Sequence, residues 1–244
     1  DTAWCLAVAG GAVTPPAPAA AELGTTVEVR DLFFATPARL KFLKAARTEF
    51  GHAVDVIHRL AMAHPEIAFS LSDGQRVAVR LGATTGDLFA RRLDRLSQIM
   101  GRDFAANALR VDAQREDITL TGYIGLPTLN RRTASHQFFF VNGRPVRDKQ
   151  LFGAVRGAYM DFLAHDRHPL LALFIDLPPT QVDVNVHPAK TEVRFREPGM
   201  VRGLIVGALK QALADAGHRS ATSASTAALG ALRPATAPPT GPTP

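Results

Sequence analysis

Short apolar stretches and longer stretches with apolar residues three and four apart follow one another along this chain of 244 residues. The short stretches, rich in β-branched and aromatic residues, predict strands at Thr25–Asp31, Ile67–Leu71, Arg76–Leu81, Ala108–Ala113, Ile118–Leu126, Gln137–Val141, Leu170–Leu177, Val182–Val186 and Thr191–Phe195. The longer stretches predict helices at Pro37–Ala46, His52–His64, Leu88–Met100, Gln150–Leu163 and Met200–Ala216. This mixture of elements predicts an α+β fold.

Glycine-containing pairs mark the turns between these elements. Asp73-Gly74 separates two predicted strands and predicts a hairpin, because both residues tolerate the backbone angles of a tight turn. Asn142-Gly143 predicts a second tight turn by the same argument. Gly101 directly follows a predicted helix and is expected to end it.

The chain is predicted to have three parts. They are residues 1–84, residues 85–217, and a flexible linker rich in Pro, Ala and Thr at residues 218–244. The first residues are apolar but lack an initiator Met and a basic segment, so they do not resemble a signal peptide. The sequence is therefore expected to begin within a domain.

Composition excludes several classes of protein. Hydrophobic residues make up 46% and charged residues 20%, close to the globular average, which excludes wholesale disorder and a coiled coil. No apolar run approaches the roughly 18 residues that span a bilayer, so no membrane partner is predicted. The single cysteine, Cys5, excludes a disulfide framework and a multi-cysteine zinc site, and no metal site is predicted.

The positive charge is concentrated in one part of the sequence. The formal net charge is +6, and the window from Gly125 to Arg156 holds six Lys or Arg residues against Asp148 alone. Cations on loops neutralise phosphates without reading base sequence, which favours a nucleic-acid contact. A basic solvent-exposed rim is the alternative.

Two further segments have the residues of a phosphate or nucleotide contact. Gly24 and Thr25 open the segment Gly24–Lys44, where backbone and a hydroxyl could approach a ligand; ordinary strand–turn–helix packing is the alternative. In Val182–Phe195, Lys190 follows His187-Pro188 on a tight loop and could reach a terminal phosphate as a point charge. An exposed turn lysine is the alternative there.

Three motifs resemble the MutL family of DNA mismatch repair proteins, within the gyrase, histidine-kinase and MutL (GHKL) ATPase superfamily. They are GTTVEVRDLFFATPAR from Gly24, FVNGRPVRD from Phe140 and DVNVHPAKTEVRF from Asp183. They occur in the family's order, and the match extends from about Ala3 to Ala216. The resemblance implies the C-terminal part of a GHKL-type ATPase domain followed by a domain like ribosomal protein S5 domain 2.

The resemblance assigns roles to individual residues. It implies that Thr25 helps to hold the adenine end of ATP and that Lys190 reaches the γ-phosphate from the second domain. It also implies a basic groove that binds DNA, formed by Arg131, Arg132, Arg144, Arg147 and Lys149.

The resemblance further implies an ATP-dependent clamp on double- and single-stranded DNA. Such a clamp is a homodimer that uses ATP and Mg²⁺, and it passes a mismatch signal from MutS to a nicking endonuclease and a helicase in the bacterial cytoplasm, at the nucleoid. The family's catalytic Glu, Mg-coordinating Asn and glycine-rich lid do not occur in this sequence, so no catalytic residue is assigned. The 244 residues alone are expected neither to hydrolyse ATP nor to bind it tightly.

Two other functions agree with part of the sequence. One is a non-enzymatic nucleic-acid-binding module, with the same basic contacts and no nucleotide role for Lys190. The other is the transducer region of a type II topoisomerase. The VNGR and HPAK motifs argue against the topoisomerase, which uses a different lysine motif.

Overall fold

The computed structural model describes residues 2–186 and 188–231, and for residues 218–231 it describes the backbone alone. The chain forms two compact units, residues 1–53 and residues 54–244. Units defined by contacts need not coincide with domains defined by ancestry, so the predicted division at residues 84 and 217 stays a prediction.

Short strands and irregular backbone form most of the first unit. Strand β1 (Ala3–Cys5) pairs with β4 (Ala17–Ala19), and β2 (Val8–Ala9) pairs with β3 (Ala12–Val13), both antiparallel. Residues 20–36 have no regular structure, and a 3-10 helix follows at Pro37–Phe42.

Two predictions for this unit are wrong. The segment Thr25–Asp31 is not a strand, and the side chains of Val27 and Val29 are exposed. A strand needs a neighbour for its N–H and C=O groups, and alternation along the sequence does not supply one. The helix predicted at Pro37–Ala46 is the short 3-10 helix instead, and Thr36 provides no side-chain cap to extend it.

The second unit contains five α-helices among the described residues, the first of which begins in the first unit. They are α1 (Ala46–Ala63), α2 (Leu88–Met100), α3 (Arg102–Ala106), α4 (Lys149–Tyr159) and α5 (Pro198–Ala231). Its strands are β5 (Phe69–Ser72), β6 (Val77–Leu81), β7 (Ala108–Arg115), β8 (Ile118–Gly125), β9 (Asn130–Arg131), β10 (Gln137–Val141), β11 (Arg144–Val146), β12 (His168–Pro169), β13 (Leu171–Asp176), β14 (Val182–Asp183) and β15 (Arg194–Phe195).

A five-stranded sheet organises this unit, with strand order β11–β10–β13–β8–β7. Strands β10 and β13 are parallel and all other neighbours in this sheet are antiparallel. Parallel neighbours need a long crossover, and α4 lies within the connection between β10 and β13.

Both faces of the central strands are buried. Phe139 and Leu173 pack on one face with residues of α4 and α5, whereas Phe140 and Phe174 pack on the other with residues of α1, α2 and α3. The rings of Phe140 and Phe174 stack with centroids 4.5 Å apart. Burial on both faces explains why these strands are continuous apolar runs rather than alternating ones.

Gly122 in β8 allows two strands to approach closely. Its φ is +138°, and a Cβ at this position would lie 2.2 Å from the carbonyl oxygen of Ala172 in β13. Glycine is therefore required in the middle of this strand, because any side chain would displace the neighbouring backbone.

Most local predictions for the second unit are confirmed. The hairpin at Asp73-Gly74 forms, and α2 occupies the predicted residues with Gly101 at its end, φ +95°. The last strands are shorter than predicted, since β14 ends at Asp183. Helix α5 continues to Ala231, through half of the predicted linker, and residues 232–244 lie outside the described residues.

Candidate nucleotide and DNA contact sites

The loop that carries Lys190 is closed at its base by two short strands. β14 pairs with β15, with Val182 opposite Phe195, and Phe195 is buried in the core. Lys190 has φ +53°, a left-handed conformation that is uncommon for a residue other than glycine. His187, which precedes Lys190 in the sequence, lies outside the described residues.

The ammonium group of Lys190 is held by its own loop. Its Nζ donates a hydrogen bond to Oδ1 of Asn185, and the backbone N–H of Asn185 donates to Oδ1 of Asp183 at 2.8 Å. Lys190 is partly buried, whereas Asn185 and Asp183 are exposed. A lysine positioned in this way is suited to bind one phosphate group as a point charge.

A two-residue turn at Asn142-Gly143 presents Arg144 to solvent. Both turn residues have positive φ, +47° and +76°, as a tight hairpin between β10 and β11 requires. The Asn142 side chain binds the backbone of Leu177 twice, donating from Nδ2 to its oxygen at 2.9 Å and accepting its N–H at 2.9 Å. These bonds fix the turn to the end of β13, a role that the Asn-Gly signal alone does not reveal.

The Arg144 segment and the Lys190 loop are directly joined. The backbone N–H of Arg147 donates to the carbonyl oxygen of Thr191 at 2.7 Å. Exposed Arg147 and Lys149 flank Asp148, a buried carboxylate that caps α4 by accepting the N–H groups of Gln150 and Leu151, at 2.8 and 3.3 Å. The two conspicuous motifs of the second unit are therefore neighbours in space.

The other two predicted DNA-binding cations lie elsewhere in this unit. Arg131 in β9 pairs with His168 in β12, and β12 precedes the start of β13. Because β10 and β13 are parallel, this pair lies at the opposite end of the sheet from Arg144, roughly 15 Å along the strands. The exposed cations thus form two groups, Arg131 with Arg132, and Arg144 with Arg147 and Lys149.

Arg131 also affects a neighbouring histidine. Burial lowers the pKa of His136, and the positive charge of Arg131 lowers it further. His136 is therefore neutral near pH 7, and it adds no charge to this group.

Thr25 lies in the first unit, in irregular backbone, and its side chain is exposed. Gly24 before it has φ +136°, which favours glycine. The contact of Thr25 with adenine stays a prediction.

Two further features are absent from the described part of the chain. It contains no group of three or more His, Cys, Asp or Glu residues that could hold a metal ion. None of its helices combines the length and apolar character that crossing a membrane requires.

The sequence is similar to known mismatch repair proteins. Residues 96–214 match the family model described as DNA mismatch repair protein, C-terminal domain. The chain is 65% identical over 233 residues to the DNA mismatch repair protein MutL of Rhodospirillum rubrum, covering 96% of this chain and 37% of that protein. It is 62% identical to MutL of Paramagnetospirillum magneticum, covering 95% of this chain and 38% of the relative. The chain thus spans a little over a third of these relatives.

Solved structures have a similar fold. The Aquifex aeolicus MutL ATPase domain complexed with ADP matches with a TM-score of 0.55 at 25% identity, covering 82% of this chain and 65% of that one. The N-terminal domain of a DNA repair protein matches with a TM-score of 0.66 at 24% identity, covering 84% and 66%. The predicted α+β fold of the GHKL ATPase type is confirmed.

Proposed function

This chain belongs to the MutL family of DNA mismatch repair proteins, and we propose that it is the part of an ATP-dependent DNA clamp that senses phosphate and contacts DNA. In this proposal the intact protein is a cytoplasmic homodimer that closes on double- and single-stranded DNA. It receives the mismatch signal from MutS and passes it to a nicking endonuclease and a helicase.

One observation supports this coupling more than any other. The hydrogen bond from Arg147 N–H to the Thr191 carbonyl joins the backbone that carries Lys190 to the backbone that carries Arg144. Val146, which precedes Arg147, and Val193, two residues after Thr191, are buried in the same core cluster. A movement of the Lys190 loop would therefore be transmitted to the basic turn, the Asn142-Gly143 turn with Arg144, because the two backbone segments are hydrogen-bonded and packed together.

Lys190 is the residue we assign to the γ-phosphate, and Thr25 to the adenine end of ATP. When ATP binds, the Lys190 ammonium would exchange its bond with Asn185 for a bond with phosphate, which carries more negative charge than the amide. ATP with Mg²⁺ supplies the phosphate group and its chemistry in the intact protein. The motif that carries the family's catalytic Glu does not occur in this sequence, so we propose that these 244 residues alone do not hydrolyse ATP.

The exposed cations are assigned to DNA phosphates. Arg144, Arg147 and Lys149 are exposed at one end of the sheet, and Arg131 and Arg132 at the other. Such contacts neutralise the backbone of any duplex and release counterions, so binding would depend on salt and little on base sequence.

Charge reversal at Arg144 tests the DNA contact. We expect Arg144→Glu to weaken binding of the chain to any duplex and to make the slope of log affinity against log salt shallower by about 1. Salt titrations with two unrelated duplexes, read by fluorescence anisotropy, measure both quantities. Arg76→Glu is the matched control, since Arg76 is an exposed arginine on the β5–β6 hairpin. Unchanged affinity and slope for Arg144→Glu would refute the assignment.

A further inference from the structure

A cavity of about 550 Å³ opens beside α4, within the second unit. Its walls come from the outer face of α4, from residues 160–169 that follow this helix, and from the residues just before and at the start of β10. This volume lies within the range of about 300–1,000 Å³ that is usual for small-molecule sites.

The face of α4 that lines the cavity carries both cationic and apolar side chains. Lys149, Phe152, Arg156 and Met160 follow one another at spacings of three and four residues, so they share one side of the helix. Lys149, Arg156 and Met160 are exposed, and Phe152 is partly buried. The inner face, with Leu151 and its neighbours, belongs to the core.

The ring of Phe152 is held in a fixed orientation. It packs edge-on against Phe139 of β10, with centroids 5.0 Å apart and an interplanar angle of 79°. An aromatic ring fixed from behind offers a stacking surface on its free side without losing side-chain entropy on binding.

Positive groups surround this apolar floor. The cations Lys149, Arg156 and Arg167 line the cavity together with the imidazole rings of His165 and His168, and its described lining contains no Asp or Glu. Arg156 contacts the ring nitrogen Nε2 of His165, and Arg167 lies 4.0 Å from the exposed Asp166. An anion with a flat apolar part is therefore complementary to this cavity in charge and in shape.

We propose that this cavity binds one unstacked nucleotide of single-stranded DNA, with its base against Phe152 and its phosphates near Lys149 and Arg156. This inference rests on the proposed DNA contact, because the cavity lies between its two groups of cations. Lys149 belongs to one group, and His168 on the cavity wall pairs in β9–β12 with Arg131 of the other. Extruding a base from a duplex costs its pairing and stacking, so a single strand supplies a base together with its phosphates more readily.

The test compares single-stranded and duplex DNA in the same chain. We expect Phe152→Leu, which keeps an apolar side chain but removes the stacking surface, to weaken binding to an oligothymidylate of about 16 nucleotides by about tenfold. Arg156→Gln should weaken it by about fivefold through loss of one phosphate contact. Both variants should leave affinity for a duplex within about twofold. Arg102→Gln, at an exposed arginine outside the cavity lining, is the control and should change neither.

The outcomes separate this inference from the proposed function. If Phe152→Leu and Arg156→Gln leave single-strand affinity unchanged while Arg144→Glu weakens duplex binding, the cavity assignment is wrong and the clamp proposal stands. If Arg144→Glu also has no effect, the DNA contact itself is wrong. Equal losses of affinity for duplex and for single-stranded DNA would also overturn the nucleotide assignment. Binding of an acidic peptide in the cavity that oligothymidylate does not displace would overturn it as well.

Discussion

Arg95 is a charged residue that is nevertheless buried in the core of the second unit. It lies in α2, fully buried, and its Nη2 donates to the carbonyl oxygens of Pro65, Ile67 and Gly82 at 2.9, 2.7 and 3.0 Å. Burial lowers the pKa of Arg95, while the nearby carboxylates Asp94 and Glu66 oppose that shift. Its bonds tie the two ends of the β5–β6 hairpin region to one helix, which no periodic pattern predicts.

Removing this side chain tests its role. We expect Arg95→Ala to lower the free energy of unfolding by about 3 kcal/mol, because it leaves a cavity and deprives buried carbonyls of their donor. Arg95→Lys, which keeps one charged donor, should lose less. Urea unfolding followed by circular dichroism measures both, with exposed Gln98→Leu on the same helix as the control. A loss below about 0.5 kcal/mol for Arg95→Ala would show that these bonds contribute no net stability.

At the scale of elements, Asn142 connects a turn to a strand that is distant in sequence. Its side-chain bonds with Leu177 and its backbone bond to Ile175 at 2.9 Å hold the β10–β11 hairpin on β13. Since Arg144 begins β11, these bonds also determine the position of this predicted DNA contact.

Two substitutions separate the bonds of Asn142 from its backbone angle. Asn142→Ala loses the side-chain bonds and places alanine at φ +47°, so we expect a loss of about 2–3 kcal/mol in unfolding free energy. Asn142→Gly loses the same bonds without the strain and should cost about 1 kcal/mol less. Chemical unfolding of both variants gives the difference. Equal losses would mean that the left-handed angle carries no strain here.

The elements that sequence predicts well are those with a local cause. Gln137–Val141 and Leu171–Asp176 are apolar on both faces, so their own residues mark them as central strands. Thr25–Asp31 has an alternating pattern but no described partner strand, and pairing is not a local property.

In the candidate site, too, the local features could be predicted from the sequence and the non-local contacts could not. The motifs indicated Lys190 and Arg144. The bond from Arg147 to Thr191 joins two backbone groups, so the identity of the side chains does not predict it. The charge-rich window suggested one basic patch, whereas the parallel pairing of β10 and β13 puts Arg131 and Arg144 at opposite ends of the sheet.

At the scale of the whole molecule, the net charge of +6 results mainly from these separated cations, with an excess of five in Gly125–Arg156. We assign the cations to DNA, Lys190 to nucleotide phosphate, and the shared backbone bond to communication between them. We propose that the Lys190 loop and the basic turn respond to nucleotide as one structure.

The most direct measurement of that claim is DNA affinity with and without a non-hydrolysable ATP analogue, in a full-length family protein that carries this sequence. Lys190→Ala should weaken analogue binding by about 30-fold and remove the effect of the analogue on DNA affinity. Lys210→Ala, at a surface lysine 3.2 Å from Asp161, should behave like the unmodified protein. If analogue affinity and the DNA response both survive Lys190→Ala, the proposed coupling between the Lys190 loop and the basic turn is wrong.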